Sequence, residues 1–306
     1  MQKGPPTPKG FRDIGPETAK KRRIAISKIA DVLEENGFVP LETPTIEFAE
    51  TLTGKYGEEE RLIYKFQDRG RRALALRYDL TVPLARFVAN NQQLIEKGPF
   101  RRYQIGQVFR GENPQAGRYR EFTQFDFDTV GSDSLSEDAK IIATAINATR
   151  KLGLKGARMA VNDRETLSVF AVEEIRVIDK IEKIGISGIE TELKEQGKSE
   201  TDINKVKKFL NEKPDPPDKL ADVFKILKDK YNLSEGADFY FAHSLARGLD
   251  YYTGSIFEMK ASEDQKTLSI GAGGRYDNLI GMFAGKQIPA VGFSFGIDRL
   301  VEAIGE

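Results

Sequence analysis

The sequence predicts an α+β fold: a mainly antiparallel sheet flanked by helices, interrupted by a helical insertion. Three observations carry this. Short apolar or alternating runs bounded by Gly and Pro recur before residue 131 and again after residue 236. Helical periodicity marks both ends of the chain. Between 164 and 235 the composition turns to Glu, Lys and Ile with helical spacing. The expected division is therefore 1–163, 164–235 and 236–306, the outer two forming one body.

Pro16 and Glu17 open the first helix. Ile26, Ile29, Ala30 and Leu33 share one face, and Gly37 is its stop. GFVPLETPTIEF reads as extended chain broken by Pro40 and Pro44. LIYKFQDRGRRALALRYDL reads as a hairpin with its turn at Asp68–Gly70 and its second strand ending near Asp79. Thr81 is placed as the N-cap of a helix over TVPLARFVANN. Strands over 101–110 and 120–131 flank the loop GENPQAGRY, and a helix follows from Ser136 to Leu152. In the insertion, KPDPPD (213–218) must be a loop, and Leu220, Val223, Phe224 and Leu227 repeat at helical spacing. ADFYFAHSLARGL, SIFEMKA, TLSIGAGG and AVGFSFG read as short strands, and IDRLVEAI as a closing helix.

Composition removes several function classes. Lys+Arg and Asp+Glu each number 47, which speaks against a DNA-coating or membrane-surface protein but not against a local basic cleft. There is no cysteine, so disulfides, thiolate metal sites and cysteine nucleophiles are excluded. One histidine, His243, excludes a multi-histidine metal centre, and its place among aromatic residues in FYFAHSLA reads as a structural strand position. No apolar run reaches the roughly 18 residues of a membrane span, and the polar N-terminus lacks the apolar core of a signal peptide. A soluble cytoplasmic protein whose chemistry rests on arginines and carboxylates is the expectation.

Four segments are candidates for that chemistry. Between Lys97 and Arg120 stand six cations and one carboxylate, Glu112. Arg110 and Arg118 flank a loop at the hairpin mouth, where two guanidinium forks can grip a polyphosphate; a solvated charged hairpin explains the same pattern. Gln124, Asp126 and Asp128 alternate with Phe125 and Phe127, giving one polar face suited to a small zwitterion, with Asp79 and Thr81 as further ammonium partners. An amphipathic surface strand is the alternative. GAGGRYDNLIG (271–281) suggests either close backbone approach to a ligand or a tight turn, and lacks dinucleotide or Walker spacing. Arg299 falls in the first turn of the closing helix, where anions are favoured. In LARGLDYYTG (245–254), Arg247 is either an ion-pair partner or an anion ligand.

These segments, in this order, resemble the class II aminoacyl-tRNA synthetase catalytic fold, and within it the histidyl-tRNA synthetase family. The resemblance rests on PKGFRDIGPE (8–17), LETPTIEFAETLTGKYGEE (41–59), LRYDLTVPLAR (76–86), FRGENPQAGRYREFTQFDFDTVG (109–131), LARGLDYYTG with SIFE (245–258), GAGGRYDNL (271–279) and AVGFSFGIDRL (290–300). It implies an ATP-dependent ligase that makes histidyl-adenylate and passes the histidyl group to the 3′ end of tRNA(His), with Mg²⁺ accompanying ATP. It implies Arg110 and Arg247 at the α-phosphate, Glu112 at adenine, and Arg118 and Arg299 at the outer phosphates. Asp79, Thr81 and Gln124 would take the substrate ammonium, Asp128 and Tyr252 the imidazole beside Tyr251, and Gln115 would lie at the tRNA acceptor end. A homodimer joined through residues 41–59 is also implied. Asp79 and Asp128 stand where many relatives have Glu, and the anticodon-binding domain usual in the family is expected to be absent. A histidine-sensing regulatory subunit of ATP phosphoribosyltransferase shares the fold; the joint presence of Arg110, Glu112, Arg118, Arg247 and Arg299 favours the ligase.

Overall fold

The computed structural model describes residues 5–114, 117–247, 251–262 and 269–305, leaving the Glu58 side chain aside. Gln115 therefore lies outside the described residues. Helix α1 (Pro16–Glu35) starts at the expected proline and buries Ala25, Ile29, Val32 and Leu33. Short strands β1 (Val39–Pro40) and β2 (Ile46–Phe48) and the helical turn α2 (Ala49–Leu52) follow. The expected hairpin is present as β3 (Lys65–Gln67) and β4 (Ala73–Leu76), its second strand ending three residues before Asp79.

Helix α3 (Thr81–Ala89) departs from expectation at its start. Thr81 is its first residue rather than its cap, and Asp79 accepts the Val82 N–H at 3.0 Å. A carboxylate is the stronger acceptor for these orphan donors, so the aspartate takes the capping role. The long strands β5 (Phe100–Phe109) and β6 (Glu121–Val130) form a ten-residue antiparallel ladder. Helix α4 (Leu135–Lys151) is capped by the Ser134 hydroxyl, and β7 (Arg158–Asp163) leads into the helical stretch.

That stretch forms α5 (Arg164–Leu167), α6 (Val172–Ile178), α7 (Ile181–Glu195), α8 (Glu200–Asn211) and α9 (Asp218–Tyr231). The last behaves differently from the others. Leu220, Val223, Phe224 and Leu227 of α9 are buried in the large core with α4, whereas Leu167, Ile175, Ile178, Ile189, Leu193 and Val206 form a separate cluster that also takes in Ala246. The chain closes with β8 (Phe239–Phe241), β9 (Ser255–Lys260), β10 (Ser269–Arg275), the turn α10 (Gly281–Ala284), β11 (Ala290–Gly296) and α11 (Ile297–Ile304). His243 is not on a strand: β8 ends at Phe241 and His243 sits in the following turn, its ring 5.2 Å from Phe209.

Among the described residues, the main sheet has eight strands in the order β1-β5-β6-β11-β10-β9-β7-β8. Its six inner strands pair antiparallel, and only the edge strands β1 and β8 pair parallel. Alternation divides it into two faces. Phe125, Phe127, Phe257, Met259, Phe293 and Phe295 point into the core with α1, α4, α9 and α11. The opposite face carries polar rows: Glu258, Ala272, Ser294, Asp126 and Gln104 stand in register across five strands. A second sheet, β2-β4-β3, lies over a smaller core containing Leu52, Tyr56, Tyr78 and Val82.

Candidate active site

The cleft lies on the polar face of the main sheet. It is about 690 Å³ in volume. The sheet can carry a deep floor there because two strand residues have no side chain. Gly274 and Gly292 stand in register with each other, and Gly292 with Asp128. A Cβ at Gly274 would lie 2.9 Å from the Tyr252 ring, and one at Gly292 would collide with the Asp128 carboxylate. This answers the alternative left open for GAGGRYDNLIG. Gly271, Gly273 and Gly274 are neither a turn nor a phosphate loop but lie in the central strand β10, where Gly274 leaves room for Tyr252, and Gly281 opens the turn α10. Arg275 faces away into structure, bound to Asp138, to Asp277 at 3.2 Å and to the Ser132 carbonyl at 3.1 Å.

One end of the cleft is acidic. Asp128 is buried and pairs with the fully buried Arg102 at 2.8 Å, while the Tyr276 hydroxyl donates to its other oxygen. Burial pushes the Asp128 carboxyl up from its ordinary value, with Arg102 and Tyr276 opposing the rise. Burial pushes Asp126 further, to about 7, against Arg102 and with the help of the Asp128 charge. Asp79 is also raised by burial, held by the Val82 N–H and by the Tyr56 hydroxyl at 2.9 Å. Gln124 donates to the Ser294 hydroxyl at 3.0 Å. Its Oε1, like Asp126 Oδ1, is buried without a hydrogen-bond partner in the protein. Such atoms mark where a polar ligand group would be stabilised. Thr81 and the mutually packed Tyr251 and Tyr252, 4.7 Å between ring centres, complete this end.

The other end is basic. Arg110 leaves the end of β5 and stacks on the Tyr78 ring at 4.3 Å, its Nε donating to the Tyr78 carbonyl at 3.2 Å. Burial works against its charge, but Tyr78, Asp79, Glu59 and Glu112 outweigh it and hold the guanidinium above its ordinary range. Arg118 stands 3.8 Å from Glu112 across the loop. Arg299 reaches the Ser269 carbonyl at 3.2 Å; burial and then the charges of Arg118 and Arg247 push it below its ordinary range. An anion placed among cations crowded in this way would relieve their mutual repulsion. Arg247 belongs to this group, and the open question about it has a double answer. It lines the cleft, 44% exposed, while its guanidinium pairs with the buried Glu258.

All eleven described candidates thus meet in one cleft: Arg110, Glu112, Arg118, Arg247 and Arg299 on the basic side, and Asp79, Thr81, Gln124, Asp128, Tyr251 and Tyr252 on the acidic side. Sequence reasoning missed Arg102, Tyr276 and the Tyr56–Asp79 contact, which depend on pairings across strands. It also missed Arg176 and Asp179, which α6 brings to the cleft wall from the insertion. Nothing in the local sequence of α6 marks them.

A sequence profile described as Histidyl-tRNA synthetase matches residues 10–175 and 171–300. The chain belongs to the histidyl-tRNA synthetase family. The histidine–tRNA ligase of Aeropyrum pernix is 43% identical over 98% of this chain and 74% of that protein, and that of Christiangramia forsetii 38% identical over 100% and 78%. The solved histidyl-tRNA synthetase of Nostoc superposes with a TM-score of 0.82 at 29% identity, covering 97% of this chain and 74% of that one. A Bacillus halodurans structure described as an ATP phosphoribosyltransferase regulatory subunit/histidyl-tRNA synthetase shares the fold, with a TM-score of 0.83 at 24% identity over 100% of this chain and 85% of that one.

Gly292→Ala is expected to destabilise the protein by about 1–3 kcal/mol in urea denaturation, because the central strand cannot retreat from Asp128. Gly156→Ala, with open space around its Cβ, should stay within about 0.5 kcal/mol. Asp126 keeps a proton that the unfolded chain releases near 3.8, so its stabilisation is lost as pH rises from there through about 7. Asp126→Asn should therefore flatten the fall of the ligand-free melting temperature between about pH 4 and 7; an unchanged pH profile would contradict the assignment.

Proposed function

We propose that this chain acts as a histidine–tRNA ligase core, activating L-histidine with ATP to histidyl-adenylate and pyrophosphate and then transferring the histidyl group to the 3′ end of tRNA(His). The observation that carries the reading is the polarity of the cleft. A zwitterion with a basic ring suits the Asp79, Asp126 and Asp128 end, and a triphosphate suits the Arg110, Arg118, Arg247 and Arg299 end. The two substrates would meet where the sets adjoin.

In this proposal Asp79, Thr81 and Gln124 receive the ammonium, and Asp128 and Tyr252 read the imidazole, with Tyr251 packed behind. The histidine carboxylate attacks the α-phosphorus, and the bond to the bridging oxygen breaks as pyrophosphate leaves with the electron pair. The nucleophile is already ionised, so positioning and charge stabilisation suffice and no base is required. Arg110 and Arg247 flank the growing equatorial charge, Arg118 and Arg299 hold the outer phosphates, and Glu112 takes the adenine amino group. Mg²⁺ arrives with the nucleotide in this reading. Among the described residues no three His, Cys, Asp or Glu side chains are grouped to hold a metal of their own.

A cytoplasmic homodimer is proposed as the working assembly. Among the described residues no helix is long and apolar enough to cross a membrane. Ile46, Phe48 and Phe66 stand 45%, 50% and 40% exposed on one face of the small sheet, in register with Leu76 and Leu74. An apolar strand face of this kind is a natural surface for a second copy.

The decisive measurement is histidine-dependent exchange of labelled pyrophosphate into ATP. Robust exchange is expected, and Arg247→Ala should lower it by about two to three decades while histidine binding remains measurable. Folded protein without exchange would favour the histidine-sensing regulatory reading instead. Sedimentation should show a dimer, and Phe48→Glu should shift it toward monomer.

A further inference from the structure

Arg247 is already partnered in the ligand-free cleft. Its guanidinium pairs with Glu258, whose side chain is only 2% exposed. The contact runs through Arg247 Nε, so a phosphate that draws the guanidinium into the cleft weakens its hold on that carboxylate, and a buried carboxylate stripped of its cation is strongly unfavourable. The structure supplies a second cation. Lys260, two residues along β9 and therefore on the same face, brings its Nζ to 3.0 Å from Glu258 Oε1. The two oxygens of Glu258 are thus divided, Oε2 to Arg247 and Oε1 to Lys260.

The insertion enters this network from the other side. Lys260 Nζ also lies 2.7 Å from Glu182 Oε2 in the first turn of α7. Asp179, just after α6, accepts the Ala246 N–H and faces Arg247, and the Ala246 side chain is buried in the cluster of the insertion. Arg299, Tyr240 and Arg158 border the same network. The backbone that presents Arg247 and the lysine that shares its carboxylate are therefore both tied to helices outside the catalytic sheet.

We propose that Lys260 is a positioning residue for adenylate formation: by retaining Glu258, it releases the Arg247 guanidinium from that carboxylate to the substrate anion. Through Glu182, the insertion helix α7 competes for the same lysine, so its placement sets how readily Arg247 is released. The inference rests on the ligase reading above. It involves no bond making, only an exchange of ion-pair partners.

The test is pyrophosphate exchange with the full chain at varied ATP and histidine. Lys260→Gln is expected to lower kcat by about ten- to hundredfold, the loss typical of a charged hydrogen bond, with KM for histidine within about twofold. Lys260→Arg should restore turnover to within about threefold of wild type. The double variant Glu258→Gln/Lys260→Gln should recover most of the lost rate, because a neutral amide no longer retains Arg247. Wild-type turnover in Lys260→Gln, or a double variant as slow as the single one, would overturn the proposal. Should Lys260→Gln fail to fold, Glu258→Gln is compared with the double variant. Equal rates are expected, since the lysine then has no carboxylate to hold, and a tenfold gap would overturn the idea. Wild-type protein lacking all histidine-dependent exchange would refute the ligase reading itself, and with it this role for Lys260.

Discussion

Arg102 and Asp128 face each other across β5 and β6, both sealed from solvent, and neither charge is tolerable there alone. Around this pair the rest of the cleft is arranged. Asp128 needs Gly292 beside it, Tyr276 needs Asp128 as its acceptor, and Asp126 feels both charges. The pair costs folding energy that the apolar face of the same sheet offsets. Phe125 and Phe127 alternate with the two aspartates and lie fully buried in the large core. One strand thus serves both the stability of the fold and the charge of the site, and a slip of one residue would exchange the two roles.

The basic end follows a different logic. None of its arginines is sealed from solvent as Arg102 is; they are held apart on the β5 end, the following loop, the turn after β8 and the start of α11. Their mutual repulsion is tolerated because backbone carbonyls and aromatic faces take part of each charge, as Tyr78 does for Arg110 and Ser269 for Arg299. Arg110 and Arg299, held in this way, need little rearrangement when an anion enters, which is the property electrostatic catalysis requires, whereas Arg247 shares its charge with Glu258.

Much of this was legible in the sequence. The period-two alternation over 121–130 pointed to the acidic face, and the excess of cations between Lys97 and Arg120 with Arg299 at a helix start pointed to the basic one, whereas Arg275 among its glycines faces away. What was not legible is what depends on register between distant strands. Asp79 displaced Thr81 as the cap because its carboxylate is aimed by Tyr56, 23 residues away. The glycines of β10 left close approach and a tight turn equally open, because a sequence cannot show that a neighbouring strand presses on them. His243 looked like a strand residue because its flanks are aromatic, although Phe239 and Phe241 pack on the large core while the imidazole turns to Phe209 of the insertion. Arg102 was counted as one cation in a charge run, and only its partner gave it meaning.

The behaviour of α9 also alters what the insertion is. Strands β7 and β8 are parallel neighbours, and α9, which immediately precedes β8, is buried against α4 in the large core. The chain from β7 through α9 to β8 is therefore an ordinary crossover between adjacent parallel strands. What is added is the material from α5 to α8, spliced in ahead of the crossover helix. Topologically the catalytic body closes around its guest without a gap. The guest adds a wall to the cleft while the sheet beneath keeps its own continuous set of pairings.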